Sequence, residues 1–157
     1  MSYLRDKDEA CYLLCKLQSR LFERASDDGI PSSYFAKVYF NSRYGEMMDD
    51  LSYLEEYPSD YEIYGYVKAH VRMKRGTVLP PHVMAWIGYL LRQWAYVYRV
   101  RSKSILKRVP ISYLAQVYGP YHALDVQKAI ELIAHDRGID LGESPDDRVM
   151  RILKTVH

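Results

Sequence analysis

The chain holds only two cysteines, three phenylalanines and two tryptophans, and it lacks any stretch of about 18 uninterrupted apolar residues, the length a membrane-spanning helix needs. Cys11 and Cys15 stand four positions apart on one face of a helix, where a disulfide is disfavoured, and they read as a pair of small buried apolar residues. The longest apolar candidate, 83–100, is interrupted by Arg92, Gln93 and Arg99, so no membrane span is expected. The start, Met1-Ser2-Tyr3-Leu4-Arg5-Asp6-Lys7-Asp8-Glu9, is charged and has no apolar signal-peptide core, which makes the cytoplasm the expected location. No glycine-rich phosphate loop, paired-cysteine zinc spacing, His-Glu-x-x-His helix or serine nucleophile elbow occurs, and His70, His82, His122, His135 and His157 are scattered. Neither a cofactor nor a metal is therefore expected, and no centre for catalysis stands out.

What is present fits one globular domain. At 157 residues, with 48% hydrophobic and 27% charged, the chain is long enough to bury a core without disulfide or metal staples. The spacing predicts an all-α, single-domain bundle of about seven to eight helices around a central apolar helix at about 81–100. Ala10, Leu13 or Leu14, Leu17, Leu21 and Phe22 recur at three and four and mark a first helix, stopped by Gly29 and Pro31. Ser32 or Ser33 is placed to cap the next, whose apolar face is Phe35, Val38 and Tyr39; it ends or bends near 42–45. Met47, Met48 and Leu51 form a third piece. Ser52-Tyr53-Leu54-Glu55 and Ser59-Asp60-Tyr61-Glu62 both match the capping box, in which the end side chains satisfy each other's backbone donors. The second opens a helix through Ile63, Val67 and Val71, although 61–67 also carries the branched and aromatic residues of a short strand. Pro80 and Pro81 start the central helix, with Trp86, Ile87, Leu90 and Trp94 on its buried face. Shorter helices follow at 102–108, 112–118 and 126–137, the last capped by Asp125 and stopped by Gly138, and Ser144-Pro145-Asp146-Asp147 begins a final one. Gly88, inside the central helix, costs about 1 kcal/mol relative to alanine, which suggests that a neighbouring helix comes close to the backbone there.

Charge is segregated along the chain. Residues 1–62 carry seven basic and thirteen acidic groups, and residues 125–157 carry five and seven, whereas residues 63–124 carry ten basic groups and no acidic one. Ten like signs in a fixed window arise by chance roughly once in a thousand draws, so the pattern calls for a cause. One cause is internal: the basic middle packs against the acidic first third and forms ion pairs. The other is a basic face for an anionic partner, either nucleic acid or an acidic protein surface. Its candidate residues are Arg72, Lys74 and Arg75, then the denser cluster Arg99, Arg101, Lys103, Lys107 and Arg108. Sixteen tyrosines add a second signal, because tyrosine combines broad contact area with a hydroxyl that tolerates water. Tyr53, Tyr57, Tyr61, Tyr64 and Tyr66 cannot all point one way on a helix, and Tyr57, Tyr61 and Tyr64 are taken as candidates for a partner surface.

Two further patterns bear on function. Arg151 and His157, with five residues between them, fit the loose Arg-x(4–6)-His signature of the helical HEPN ribonucleases and are the only catalytic candidates. Phe40-Asn41-Ser42 with Asp49-Asp50-Leu51, Trp86-Ile87-Gly88-Tyr89-Leu90-Leu91-Arg92 with Trp94, and Tyr118 with Tyr121-His122 together resemble a group of small helical proteins encoded beside toxin genes in bacterial mobile-element cassettes. The resemblance spans residues 32–135. It implies a non-enzymatic role, such as an antitoxin or another small inhibitor that binds a protein partner, a toxin or a nuclease. The alternatives are a nucleic-acid-binding protein acting through the basic segment 63–124, or a phage-type, anti-CRISPR-like inhibitor of a nucleic-acid-binding nuclease. A HEPN-like ribonuclease comes third.

Overall fold

The computed structural model describes residues 2–72, 75–143 and 145–155. Among them are ten helices and no strand: α1 (Ser2–Asp27), α2 (Ser32–Phe40), α3 (Arg43–Asp50), α4 (Tyr53–Glu56), α5 (Asp60–Ala69), α6 (Pro81–Tyr98), α7 (Ser102–Arg108), α8 (Ile111–Tyr121), α9 (Val126–Asp136) and α10 (Pro145–Thr155). The all-α expectation holds. The count roughly matches the seven to eight expected; residues 43–69 form three short helices, separated where Leu51 (φ 67°) and Tyr57 (φ 48°) take the left-handed conformation that ends a helix. Residues 61–67 are helical rather than extended. The Ser59 hydroxyl accepts the Glu62 N–H at 3.1 Å and starts α5, which outweighs the local preference of the branched and aromatic residues.

Two of the expected serine caps are used differently. The side chain of Ser32, the first residue of α2, is buried and accepts the Leu79 N–H at 2.8 Å, while its own N–H donates to the Thr77 carbonyl at 2.9 Å. Pro31 stands at the cap position with no side-chain bond, so Ser32 ties the 77–79 loop to α2 instead of capping it. The Ser52 hydroxyl turns back to the Asp50 carboxylate at 2.6 Å and does not cap α4. Asp125 stands at the cap position of α9 but makes no side-chain cap bond, and Ser144, expected to open the final helix, lies outside the described residues.

The frame is an antiparallel pair, α1 on α6. Ser19 donates to the Ala85 carbonyl, Gln18 donates to the Gly88 carbonyl, and Cys15 lies near Arg92. Leu14, Leu17, Leu21 and Phe22 of α1 meet Ile87, Leu90, Leu91 and Trp94 of α6 in one continuous core. Leu14 is buried, and Leu13 stays exposed. Trp86 is half-buried, edge-on to the Tyr118 ring, rather than inside the core. Gly88 sets the spacing of the pair. A Cβ there would stand 2.9 Å from both the Gln18 carbonyl oxygen and the Phe22 ring, so the close approach expected from the sequence is that of α1. Cys15 is fully buried beside Cys11, with sulfurs 3.9 Å apart, and the thiol–thiol hydrogen bond followed by burial raises the Cys15 pKa above the ordinary thiol range.

Gly88→Ala is expected to lower the free energy of unfolding by about 1–3 kcal/mol, because the backbone oxygen it meets cannot swing aside and alanine's helix propensity returns only about 1 kcal/mol. Leu90→Ala should lower it by about 2–5 kcal/mol. Urea denaturation measures both. A Gly88→Ala chain as stable as the parent would show that α1 and α6 do not touch there.

Candidate functional site

Arg92 sits in α6, a long and largely apolar helix, and is 1% exposed. A guanidinium in that position needs hydrogen-bond partners, since desolvating a charge costs several kcal/mol. Gln18 and Asp49 give each of its three nitrogens one. Arg92 donates through Nε (3.0 Å) and Nη2 (2.7 Å) to the Gln18 side-chain oxygen, and through Nη1 (2.7 Å) to the Asp49 carboxylate. Gln18 is itself wholly buried. It donates to the Gly88 carbonyl at 2.8 Å and accepts the Tyr39 hydroxyl at 3.0 Å. Burial pushes the Tyr39 phenol up to about 12, so it remains a donor across the physiological range.

Asp49 carries the network outward. Its carboxylate accepts the Ser102 hydroxyl at 2.7 Å and the Ser102 backbone N–H at 3.1 Å. These bonds hold the first turn of α7, whose sequence Ser-Lys-Ser-Ile-Leu-Lys-Arg has no acidic residue. The inner side of α7 is buried through Ile105. Beside that turn lies a groove of about 350 Å³, lined by Glu46, Asp49, Asp50, Arg99, Val100, Arg101 and Lys103. Arg99 closes α6 in the left-handed conformation (φ 55°), with its guanidinium 4.8 Å from the centre of the Tyr96 ring. Lys103 faces Glu46 at 3.7 Å with both side chains largely in solvent, a pair of little net worth. Hydrogen bonds from the Ser52 hydroxyl, then its backbone N–H, hold the Asp50 carboxyl below the usual range, and nearby Arg101 adds to this.

The structure divides the basic candidates. Arg99, Arg101 and Lys103 come together in the groove, and Lys107 and Arg108 are exposed at the end of α7. The Arg108 carbonyl accepts two bonds from Arg137, at 3.1 and 3.0 Å. Arg72 is exposed and folds back on the Ala69 carbonyl at 2.6 Å. Arg75 borders a separate, mainly apolar groove of about 400 Å³ with Tyr34, Leu79 and Ile111. Lys74 lies outside the described residues. The internal pairing of the basic middle with the acidic first third is present in part, as Arg92–Asp49, Lys103–Glu46 and Lys68–Asp28.

Among the tyrosines, Tyr57 and Tyr61 are exposed. Tyr61 lies under Arg24, which borders a pocket with Asp27, Asp28 and Asp60, and neither ring enters the α7 groove. Tyr64 must be corrected: it is 2% exposed, because α5 turns it inward toward Phe35, and its hydroxyl donates to the Asp28 carboxylate. It offers no partner surface. Of the catalytic candidates, Arg151 is bonded to Glu143 at 2.8 Å, and His157 lies outside the described residues. Among the described residues no three His, Cys, Asp or Glu side chains group as a metal site, and no helix is long and apolar enough to cross a membrane.

The residues that organise this site, Gln18, Asp49 and Arg92, were not singled out from the sequence as functional. A usable signal was present: an arginine between Leu91 and Trp94 has to find a buried partner. Compared with protein-family models, with curated proteins and with solved structures, the chain matches none.

Replacing Asp49 by Asn leaves Arg92 buried without a counter-charge, and stability should fall by about 3–5 kcal/mol. Amide exchange should rise more in α7 than in α6, since α7 loses its anchor. A second expectation concerns acid. The Tyr64 hydroxyl pulls the Asp28 carboxyl below its ordinary value, so this stabilisation is complete above the unfolded pKa of about 4 and is lost as pH falls through the lowered folded value. Tyr64→Phe should raise the Asp28 pKa, read by carboxyl NMR titration, and flatten the acid limb of stability against pH.

Proposed function

We propose that the protein is a non-enzymatic interaction protein, an antitoxin-like inhibitor, that holds an acidic protein surface with α7 and its flanks. The observation that carries this reading is the buried Gln18–Arg92–Asp49 network, which fastens a short basic helix by its first turn. A buried ion pair is a poor source of stability compared with apolar packing, and its best-attested use is to specify one arrangement. Here the arrangement specified is the position of α7. A pre-positioned helix loses less freedom on binding, which favours affinity. Lys107 and Arg108 are exposed on it and Arg101 just before it, and the weak Lys103–Glu46 pair can exchange its carboxylate for one from a partner.

The same groove favours protein over nucleic acid. Glu46 and Asp50 line it together with Arg99, Arg101 and Lys103. A phosphate backbone, uniformly negative, would meet those carboxylates, whereas a protein surface of mixed sign can place its own cations against them.

The test compares the parent chain with Arg101→Glu/Arg108→Glu, first in capture of partners from the native host and then in calorimetric titration with the purified captured protein. The double reversal should weaken that complex at least about tenfold, or about 1.4 kcal/mol, while the thermal midpoint stays close to the parent's. Duplex DNA or RNA should bind weakly at physiological salt. Tight nucleic-acid binding, with log affinity falling about 0.9 per phosphate contact against log salt, would replace this reading with the nucleic-acid one. Unchanged protein affinity together with a destabilised fold would show that the basic residues serve the chain's own acidic first third.

A further inference from the structure

The groove bordered by Arg75 is distinct from the one beside α7 and differs from it in charge. Its volume is about 400 Å³, within the roughly 300–1,000 Å³ usual for ligand pockets. Tyr34, Leu79, Ile111 and Ala115 give it apolar walls, and among the described residues Arg75 is the one charged group that lines it. The groove beside α7 and the pocket beside Arg24 each hold carboxylates; this one holds none among the described residues. Arg75 is exposed and makes no ion pair among the described residues. The walls are held in place by contacts between distant parts of the chain. Ser32 fastens the 77–79 loop to α2, and the Tyr34 hydroxyl accepts the Arg72 backbone N–H at 2.9 Å. Gly76 (φ 144°) lies so near Pro31 that a Cβ there would stand 2.9 Å from the proline side chain. Walls fixed beforehand lose less freedom when a ligand arrives.

Charge and polarity together define the occupant. Apolar walls beside a guanidinium without a counter-charge suit an apolar group that carries a carboxylate. The first turns of α2 and α8 line the same groove, each behind a proline with no side-chain cap, and the N–H groups of Ser33, Tyr34 and Ser112 have no acceptor among the described residues. Their dipoles add to the preference for a negative head. The Ser33 and Ser112 hydroxyls and the backbone of Gly76 also line it without a hydrogen-bond partner among the described residues. An alkyl chain would cover these groups and leave them unsatisfied, whereas the amides of a peptide can pair with them. We propose that this groove binds the carboxy-terminal residue of a partner polypeptide, with an apolar last side chain between Tyr34, Leu79, Ile111 and Ala115 and the free carboxylate at Arg75.

The full chain, panned against peptides with randomised and free carboxy-terminal ends, should enrich an apolar last residue. For an enriched peptide, fluorescence anisotropy should show binding weakened at least about tenfold when the terminus is amidated, the scale of a lost charge-assisted hydrogen bond. Arg75→Glu should weaken binding at least as much. Ala115→Trp, which fills the groove, should abolish it while the helical circular dichroism stays unchanged. If Ala115→Trp fails to fold, Arg75→Glu, at an exposed position, still decides. No enrichment, an amidated peptide bound as tightly as the free acid, or affinity indifferent to Arg75→Glu would overturn the proposal. So would binding of octanoate in this groove without binding of any free-carboxyl peptide, which would make the ligand a small aliphatic acid.

Discussion

The burial of Arg92 is the constraint on which the rest of this structure depends. A guanidinium inside an apolar helix is stable only when its nitrogens are partnered, and the network that does this draws on three parts of the chain: Gln18 on α1, Asp49 on α3 and, through Asp49, Ser102 on α7. Gln18 in turn binds the Gly88 carbonyl, one helical turn before Arg92 on the same face of α6. The absent side chain at Gly88 lets α1 come close enough for that bond. Packing and polar satisfaction therefore constrain each other, and a change in either moves both.

This arrangement also explains why the basic middle of the chain is not simply a basic face. Among the described residues, Arg92 is an interior cation, and Lys68 and Lys103 meet carboxylates from the first third of the sequence. What remains is local: a short helix held at its first turn, exposing positive charge beside a groove of mixed sign. Such a surface is better suited to discriminating among protein partners than to attracting every polyanion, because like-charge contacts exclude as effectively as opposite charges attract. The tyrosines follow the same division. Tyr39 and Tyr64 are buried with their hydroxyls satisfied, while Tyr57 and Tyr61 stand in solvent away from the groove. Their abundance serves the interior as much as the surface.

Much of the fold was legible in order along the chain. The apolar spacing of α1 and α6, the prolines that open α6, the Ser59 cap and the meaning of Gly88 are local or nearly local properties, set by backbone geometry within a few residues. The errors have one origin. Ser32, Ser52 and Tyr64 have side chains that satisfy local and distant partners equally well, and in each case a competing contact prevailed: the 77–79 loop, the Asp50 carboxylate and the Asp28 carboxylate. The breaks between the short helices of residues 43–69 fall at Leu51 and Tyr57, which adopt a conformation that non-glycine residues seldom take.

By itself, then, the sequence determined the helical class, the central apolar helix, the segregation of charge and the presence of an interior glycine contact, because each depends on periodicity or composition. Only the tertiary structure decided which charges face solvent. Arg92 and Arg101 are the same residue type nine positions apart, in a segment without acids, and one is buried in the core while the other lines an open groove. The difference lies in Gln18 and Asp49, which are 74 and 43 residues from Arg92 in the chain. A side chain's charge is written locally, but the dielectric and the partners around it are set by residues that only folding brings near.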